Sequence, residues 1–99
     1  MVHHLTPDRV ESMARNGQAV VVDVRESSEY KRGHIPRSRH IPLGQLLQRL
    51  REVAKDRTIV VVCQSGNRSS RACELLQQVG YRHVYNLAGG INSWKGALD

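Results

Sequence analysis

Thr58-Ile59-Val60-Val61-Val62-Cys63-Gln64-Ser65-Gly66-Asn67-Arg68-Ser69 is the stretch on which the fold turns. Its first five residues are β-branched and read as a strand buried in the middle of a sheet. A cysteine at the mouth of such a strand, on a short loop that leads into a helix, sits where a thiol becomes reactive. Backbone N–H groups of the loop and the positive end of the helix dipole both favour an anion there. The thiol is therefore expected to ionise below its free pKa of about 8.5. Gly66 allows the backbone to curl its amides inward. Arg68 adds a permanent positive charge with a fork of donors. Cys63 is the candidate nucleophile, and the N–H groups of Gln64, Ser65, Gly66, Asn67, Arg68 and Ser69 form its candidate cradle.

Outward from this loop, apolar β-branched runs alternate with helical patterns, which indicates an α/β domain with a largely parallel sheet. Ala19-Val20-Val21-Val22-Asp23-Val24 is nearly all apolar, as in a strand covered on both faces. Thr6-Pro7 reads as an N-cap followed by proline at the first helical position, and Asn16-Gly17 as that helix's stop. A short helical turn spans Ser27 to Arg32 and ends at Gly33. Pro36 and Pro42 bracket an extended segment, Ser38 to Ile41. Leu43, Leu46, Leu47, Leu50, Val53 and Ala54 recur at helical spacing and predict an amphipathic helix. Ala72, Leu75, Leu76 and Val79 give the stripe of the helix after the loop, which Gly80 ends. His83 to Leu87 is a last strand, and Gly89-Gly90 opens a final helix containing Trp94.

The chain has 99 residues, with 39% apolar residues and no Phe, so one domain over 1–99 with a small core of Val, Leu, Ile and Ala is expected. No run approaches the roughly 20 apolar residues of a membrane span. Met1 to Leu5 lacks the features of a signal peptide, which makes the cytoplasm the default compartment. The formal charge of +6 comes mostly from arginines spread along the whole chain. That distribution favours attraction of small anions over nucleic acid or a membrane, since no aromatic-interleaved basic patch or nucleic-acid motif is present. Cys63 and Cys73 are not spaced as CxxC, and no Cys/His set has metal-ligand spacing. His3 and His4 read as surface or capping histidines.

Several motifs in order now carry a resemblance. They are Val21-Val22-Asp23-Val24-Arg25, Glu29-Tyr30, Gly33-His34-Ile35-Pro36, His40-Ile41-Pro42-Leu43, the Cys63 loop, Gly80-Tyr81, Leu87-Ala88-Gly89-Gly90 and Trp94. Together, from Ala19 to Ala97, they resemble a single-domain rhodanese, a sulfurtransferase. The resemblance implies a rhodanese-like α/β fold, with a mostly parallel five-stranded central sheet and helices on both faces. It implies that Cys63 carries a persulfide sulfur during turnover, with no cofactor and no metal. The partners it implies are a small anionic sulfur donor such as thiosulfate and a thiol or cyanide acceptor. An alternative partner is another sulfur-transfer protein, in which case the domain is a carrier or docking module. Cell-cycle phosphatases share the fold, but their loop is one residue longer than the six from Cys63 to Arg68, and Val62 stands where cysteine phosphatases commonly show His. Arsenate-reductase-like chemistry and a non-catalytic regulatory domain are further readings, and the intact cysteine and six-residue loop count against the last.

Other residues divide between chemistry and structure. Arg68 either orients the anionic donor as part of the catalytic site or braces the loop. Ser69 and Ser70 read first as helix-start residues. Gln64 and Ser65 face the incoming substrate. Asp23 and Arg25 are expected to lock the Gly33-His34 turn rather than act in catalysis, and His34 is not needed as a base. Cys73 lies about 8 Å along the helix axis from its start, which favours packing over a disulfide with Cys63. Trp94 reads as core or cover.

Overall fold

Side-chain parity organises the molecule. In the computed structural model, which describes residues 1–99, strand β4 (Thr58–Val62) points Ile59 and Val61 to one face of the sheet and Val60 and Val62 to the other. Strand β2 (Ala19–Asp23) likewise sends Val22 one way and Ala19 and Val21 the other. Both runs are continuously apolar because each face meets its own core. Cys63 continues the parity of Ile59 and Val61, so its side chain enters the core on that face.

Five strands form one parallel sheet in the order β1-β5-β4-β2-β3, with β1 at His3–Leu5, β3 at Arg39–His40 and β5 at Val84–Leu87. β4 is central, and the sheet is wholly parallel rather than mostly so. Helix α3 (Asn67–Gln78) covers one face with buried Ala72, Cys73 and Leu76, alongside Leu46 and Val53. Helix α1 (Pro7–Arg15) covers the other with Val10 and Met13. Thr6 caps α1, its Oγ1 accepting from the Arg9 N–H at 3.3 Å, and Pro7 stands first in the helix. Helix α2 (Ser27–Lys31) closes with Arg32 at its C-cap.

Three local expectations change. The stretch Leu43 to Ala54 is not one α-helix. It forms two short 3-10 segments, Leu43–Gln45 and Leu47–Glu52, with Arg49 off helical geometry at φ −118° and ψ 26°. The tighter winding faces Leu43, Leu46, Leu50 and Val53 towards the core and leaves Leu47 exposed. Arg49 fixes the kink through Glu52 (2.7 and 2.9 Å) and Gln45 Oε1 (2.9 Å). Trp94 is not inside a helix either: the final turn is a 3-10 segment, Gly90–Ser93, and Trp94 follows it in extended backbone. The third change is β1, which pairs His3, His4 and Leu5 with Tyr85, Asn86 and Leu87. Both histidines are exposed, so no apolar pattern announces the strand.

No helix is long and apolar enough to cross a membrane.

Candidate active site

The end of β4 delivers Cys63 to the first turn of α3. Between them Gly66 takes φ +108° and caps the helix, a conformation that a side chain resists. This bend turns the Gly66 N–H back onto Cys63 Sγ at 3.0 Å. One turn into α3, the Ser69 hydroxyl reaches the same sulfur at 3.3 Å. Burial works against the thiolate. It is outweighed by the Ser69 hydroxyl and by the N–H groups of Ser69, Gly66 and Ser65, so the thiol ionises below its ordinary range. Of the six cradle candidates, Ser65, Gly66 and Ser69 thus act on the sulfur, while no hydrogen bond reaches Sγ from Gln64, Asn67 or Arg68.

Ser69 is therefore more than a helix-start residue. It is fully buried and also contacts Asn86 Oδ1. Asn86, buried in β5, gathers the region: its amide nitrogen lies 3.1 Å from Ser70 Oγ, 3.3 Å from the Gly66 carbonyl and 3.1 Å from His4 Nδ1. The sequence places Asn86 in the last strand but assigns it no part in the site. A polar side chain inside an otherwise apolar strand was its only signal.

Gly90, read in the sequence only as a breaker that opens the last turn, also belongs to the site. A Cβ there would stand 2.5 Å from the Cys63 carbonyl oxygen and 2.6 Å from that of Gln64. The bare backbone instead lets the Ile91 and Asn92 N–H groups donate to those carbonyls at 2.9 and 3.0 Å. The Gly89-Gly90 pair thus docks the last turn onto the cysteine loop.

Arg68 makes no hydrogen bond to the sulfur, although the Cys63 thiolate is near enough to help hold its charge. Its guanidinium binds Glu29 through two parallel hydrogen bonds of 2.7 and 2.8 Å, tying α3 to α2. The hydrogen bond from Arg68 holds the Glu29 carboxyl down at about 2 against its burial. Of the two roles open to Arg68 in the sequence, the geometry carries the bracing one.

Asp23 and Arg25 form a buried pair, with Nε 3.0 Å from both carboxylate oxygens and Nη2 2.8 Å from Oδ2. Arg25 also donates to the Gly33 carbonyl at 2.8 Å, the Glu29 carbonyl at 3.3 Å and Gln64 Oε1 at 3.2 Å. Every buried side-chain polar atom finds a partner. Gln64 is held at its other end by Asn92, 2.7 Å away. His34 stacks on Tyr30 with ring centroids 3.8 Å apart, and its Nδ1 lies 3.0 Å from the Tyr30 carbonyl, so it supports the turn.

Cys73 is fully buried, and both cysteines are free thiols. Burial first, and then the negative charge of Cys63, push its thiol up to about 12. It is a packing residue with no accessible thiolate. No group of three His, Cys, Asp or Glu side chains is placed to hold a metal ion.

Two clefts open on the surface. The larger, about 300 Å³, lies between α1 and Trp94, and no residue of the cysteine loop lines it. The smaller, about 200 Å³, has Arg25, Glu29, Arg32, Gln64 and Leu98 in its wall. It is the one next to the cysteine loop, because Gln64, which follows Cys63, stands in its wall.

Comparison with known proteins agrees with this geometry. Residues 6–97 match the family model described as the rhodanese-like domain. The chain is 40% identical over 82 residues to a protein named sulfurtransferase from Allochromatium vinosum, covering 83% of this chain and 77% of that one. It is 42% identical over 81 residues to the uncharacterized protein YqhL of Bacillus subtilis, covering 82% of this chain but only 64% of that one. The crystal structure of a rhodanese-related protein from Thermoplasma volcanium superposes with a TM-score of 0.85 at 32% identity, covering 93% of this chain and 89% of the other.

Proposed function

The chain belongs to the rhodanese-like domain family, and from that membership we propose that it is a sulfurtransferase working through a persulfide on Cys63. The observation that carries the reading is the thiol itself. It is buried at the end of the central strand, receives a hydrogen bond from the Gly66 N–H, and ionises below its ordinary range.

The chemistry is covalent and has two steps. The Cys63 thiolate attacks the outer sulfur of thiosulfate. A bond forms between Sγ and that sulfur, the sulfur–sulfur bond of the donor breaks, and its electron pair leaves with sulfite. Cys63 is left as a persulfide anion. A cyanide or thiolate acceptor then attacks the terminal sulfur, and the electron pair of the breaking bond returns to Cys63. In the persulfide the negative charge moves to the outer sulfur beyond Sγ, where the positive end of the α3 dipole favours it.

Two features support sulfur transfer over a phosphatase. The loop from Cys63 to Arg68 is six residues long, and the guanidinium that would hold a phosphoryl group is committed to Glu29. A cleft of about 200 Å³ suits a small donor. That favours direct turnover of small molecules over the alternative of a carrier loaded by a partner sulfur-transfer protein.

The test is intact-mass measurement after mixing with thiosulfate. A gain of about one sulfur atom, mapped to Cys63 and absent from Cys63→Ser, is the expected result. Transfer retained in Cys63→Ser removes the nucleophile from this reading.

A further inference from the structure

We propose that Arg32 is the residue that selects anionic donors, binding the donor's oxyanion in the cleft whose wall includes Gln64, the residue after Cys63. The assignment rests on the sulfurtransferase reading and adds to it the residue that holds the anionic end of the donor.

The argument is one of charge. Arg25, Glu29 and Arg32 are the charged residues in the cleft wall. Arg25 is buried and paired with Asp23, and its remaining donors are taken by the Gly33 carbonyl, the Glu29 carbonyl and Gln64. Glu29 is neutralised by Arg68 through both carboxylate oxygens. These two pairs cancel. Arg32 has no carboxylate within ion-pair distance, neither Glu26 nor Glu29 nor Asp99. It is also exposed, so its charge is free to act in the cleft.

Its placement is fixed while its side chain is free. Arg32 is the C-cap of α2, with helical backbone and an N–H bonded to the Glu29 and Tyr30 carbonyls. The rest of the wall includes Gln64, held between Arg25 and Asn92, and the apolar Ile91 and Leu98. A planar guanidinium presents paired donors that match two oxygens of a sulfonate or carboxylate. An anion held there lies against the residue that follows the nucleophile.

The experiment compares the wild-type chain with Arg32→Gln and Arg32→Lys, both at an exposed position. Cys63 is alkylated with iodoacetate and with iodoacetamide, which differ in charge and hardly in size, and the KM for thiosulfate is measured at low and high salt. Arg32→Gln is expected to slow iodoacetate about fivefold, leave iodoacetamide unchanged, and raise the thiosulfate KM by about the same factor with kcat nearly constant. The difference should fade at high salt, and Arg32→Lys should recover most of it. A thiosulfate KM unchanged in Arg32→Gln overturns the proposal, and so does an equal slowing of both alkylating agents. Wild-type protein that gains no sulfur from thiosulfate overturns the reading of the reaction and the donor assignment with it, and is recognised separately from the alkylation rates.

Discussion

The Ser69 hydroxyl stands 3.3 Å from Cys63 Sγ, six residues along the chain, and the same oxygen contacts Asn86 Oδ1. A hydroxyl has one proton, so the two acceptors compete for it. When Cys63 is ionised, the negative sulfur is the stronger acceptor. Ser69→Ala should therefore raise the thiol pKa, because it removes a hydrogen bond that favours the charged form. The pH dependence of iodoacetamide alkylation measures this directly. An unchanged profile would show that the backbone amides suffice.

Arg68 braces the loop through Glu29, so Arg68→Gln should weaken reactions of Cys63 with charged and uncharged reagents to the same extent. A selective loss with anionic reagents would restore a donor-binding part to Arg68. The variant also has a pH signature. Glu29 is held at about 2 against an ordinary 4.5. Its folded pKa is depressed, so the stabilisation is complete above 4.5 and disappears as pH falls towards 2. With Arg68 37% and Glu29 21% exposed at the side chain, the pair is worth about 1 kcal/mol. Denaturation of wild type and Arg68→Gln should differ by that amount at pH 7 and converge near pH 2.

Gly90→Ala should be among the most damaging single-methyl changes in the chain. The added carbon would overlap the Cys63 and Gln64 carbonyl oxygens, and the backbone there has φ +62°. A loss of more than about 2 kcal/mol in urea denaturation is expected, together with slower sulfur loading of whatever folds. Near-normal stability would mean that the last turn does not dock tightly on the cysteine loop.

Cys73→Ala should leave sulfur transfer unchanged and lower stability by about 1 kcal/mol, because it removes one small buried side chain from beside Ala72 and Leu76. In the native wild-type protein only Cys63 should react with iodoacetamide at neutral pH. Peptide mapping of the alkylated protein checks this, and modification of Cys73 would contradict its burial.

Much of the site was legible before any contact was known. Cys63 at the end of an apolar run, Gly66 before a helical stripe and Thr6-Pro7 before another are local signals, set by backbone geometry within a few residues. Asn86 and Gly90 were not recognised as part of the site. Their importance comes from what they touch, and each touches residues more than fifteen positions away. The periodic leucines from Leu43 to Leu50 misled for the opposite reason. Helical spacing of apolar residues is also satisfied by 3-10 turns once Arg49 and Glu52 hold the kink.

The amino-acid order alone determined the strand–loop–helix that presents the thiol, the two-sided burial of β2 and β4, and the family, because these follow from short-range patterning and from motifs in sequence. Only the tertiary structure decided which cations are free. The sequence already sets Arg25 beside Asp23 as structural, but it leaves the part of Arg68 open and gives Arg32 none. Asp23 neutralises Arg25 through a buried pair, Glu29 neutralises Arg68 across 39 residues, and Arg32, in the cleft wall, is left without a carboxylate partner. Pairing of charges is a contact between distant segments, and such contacts exist only after the chain has folded.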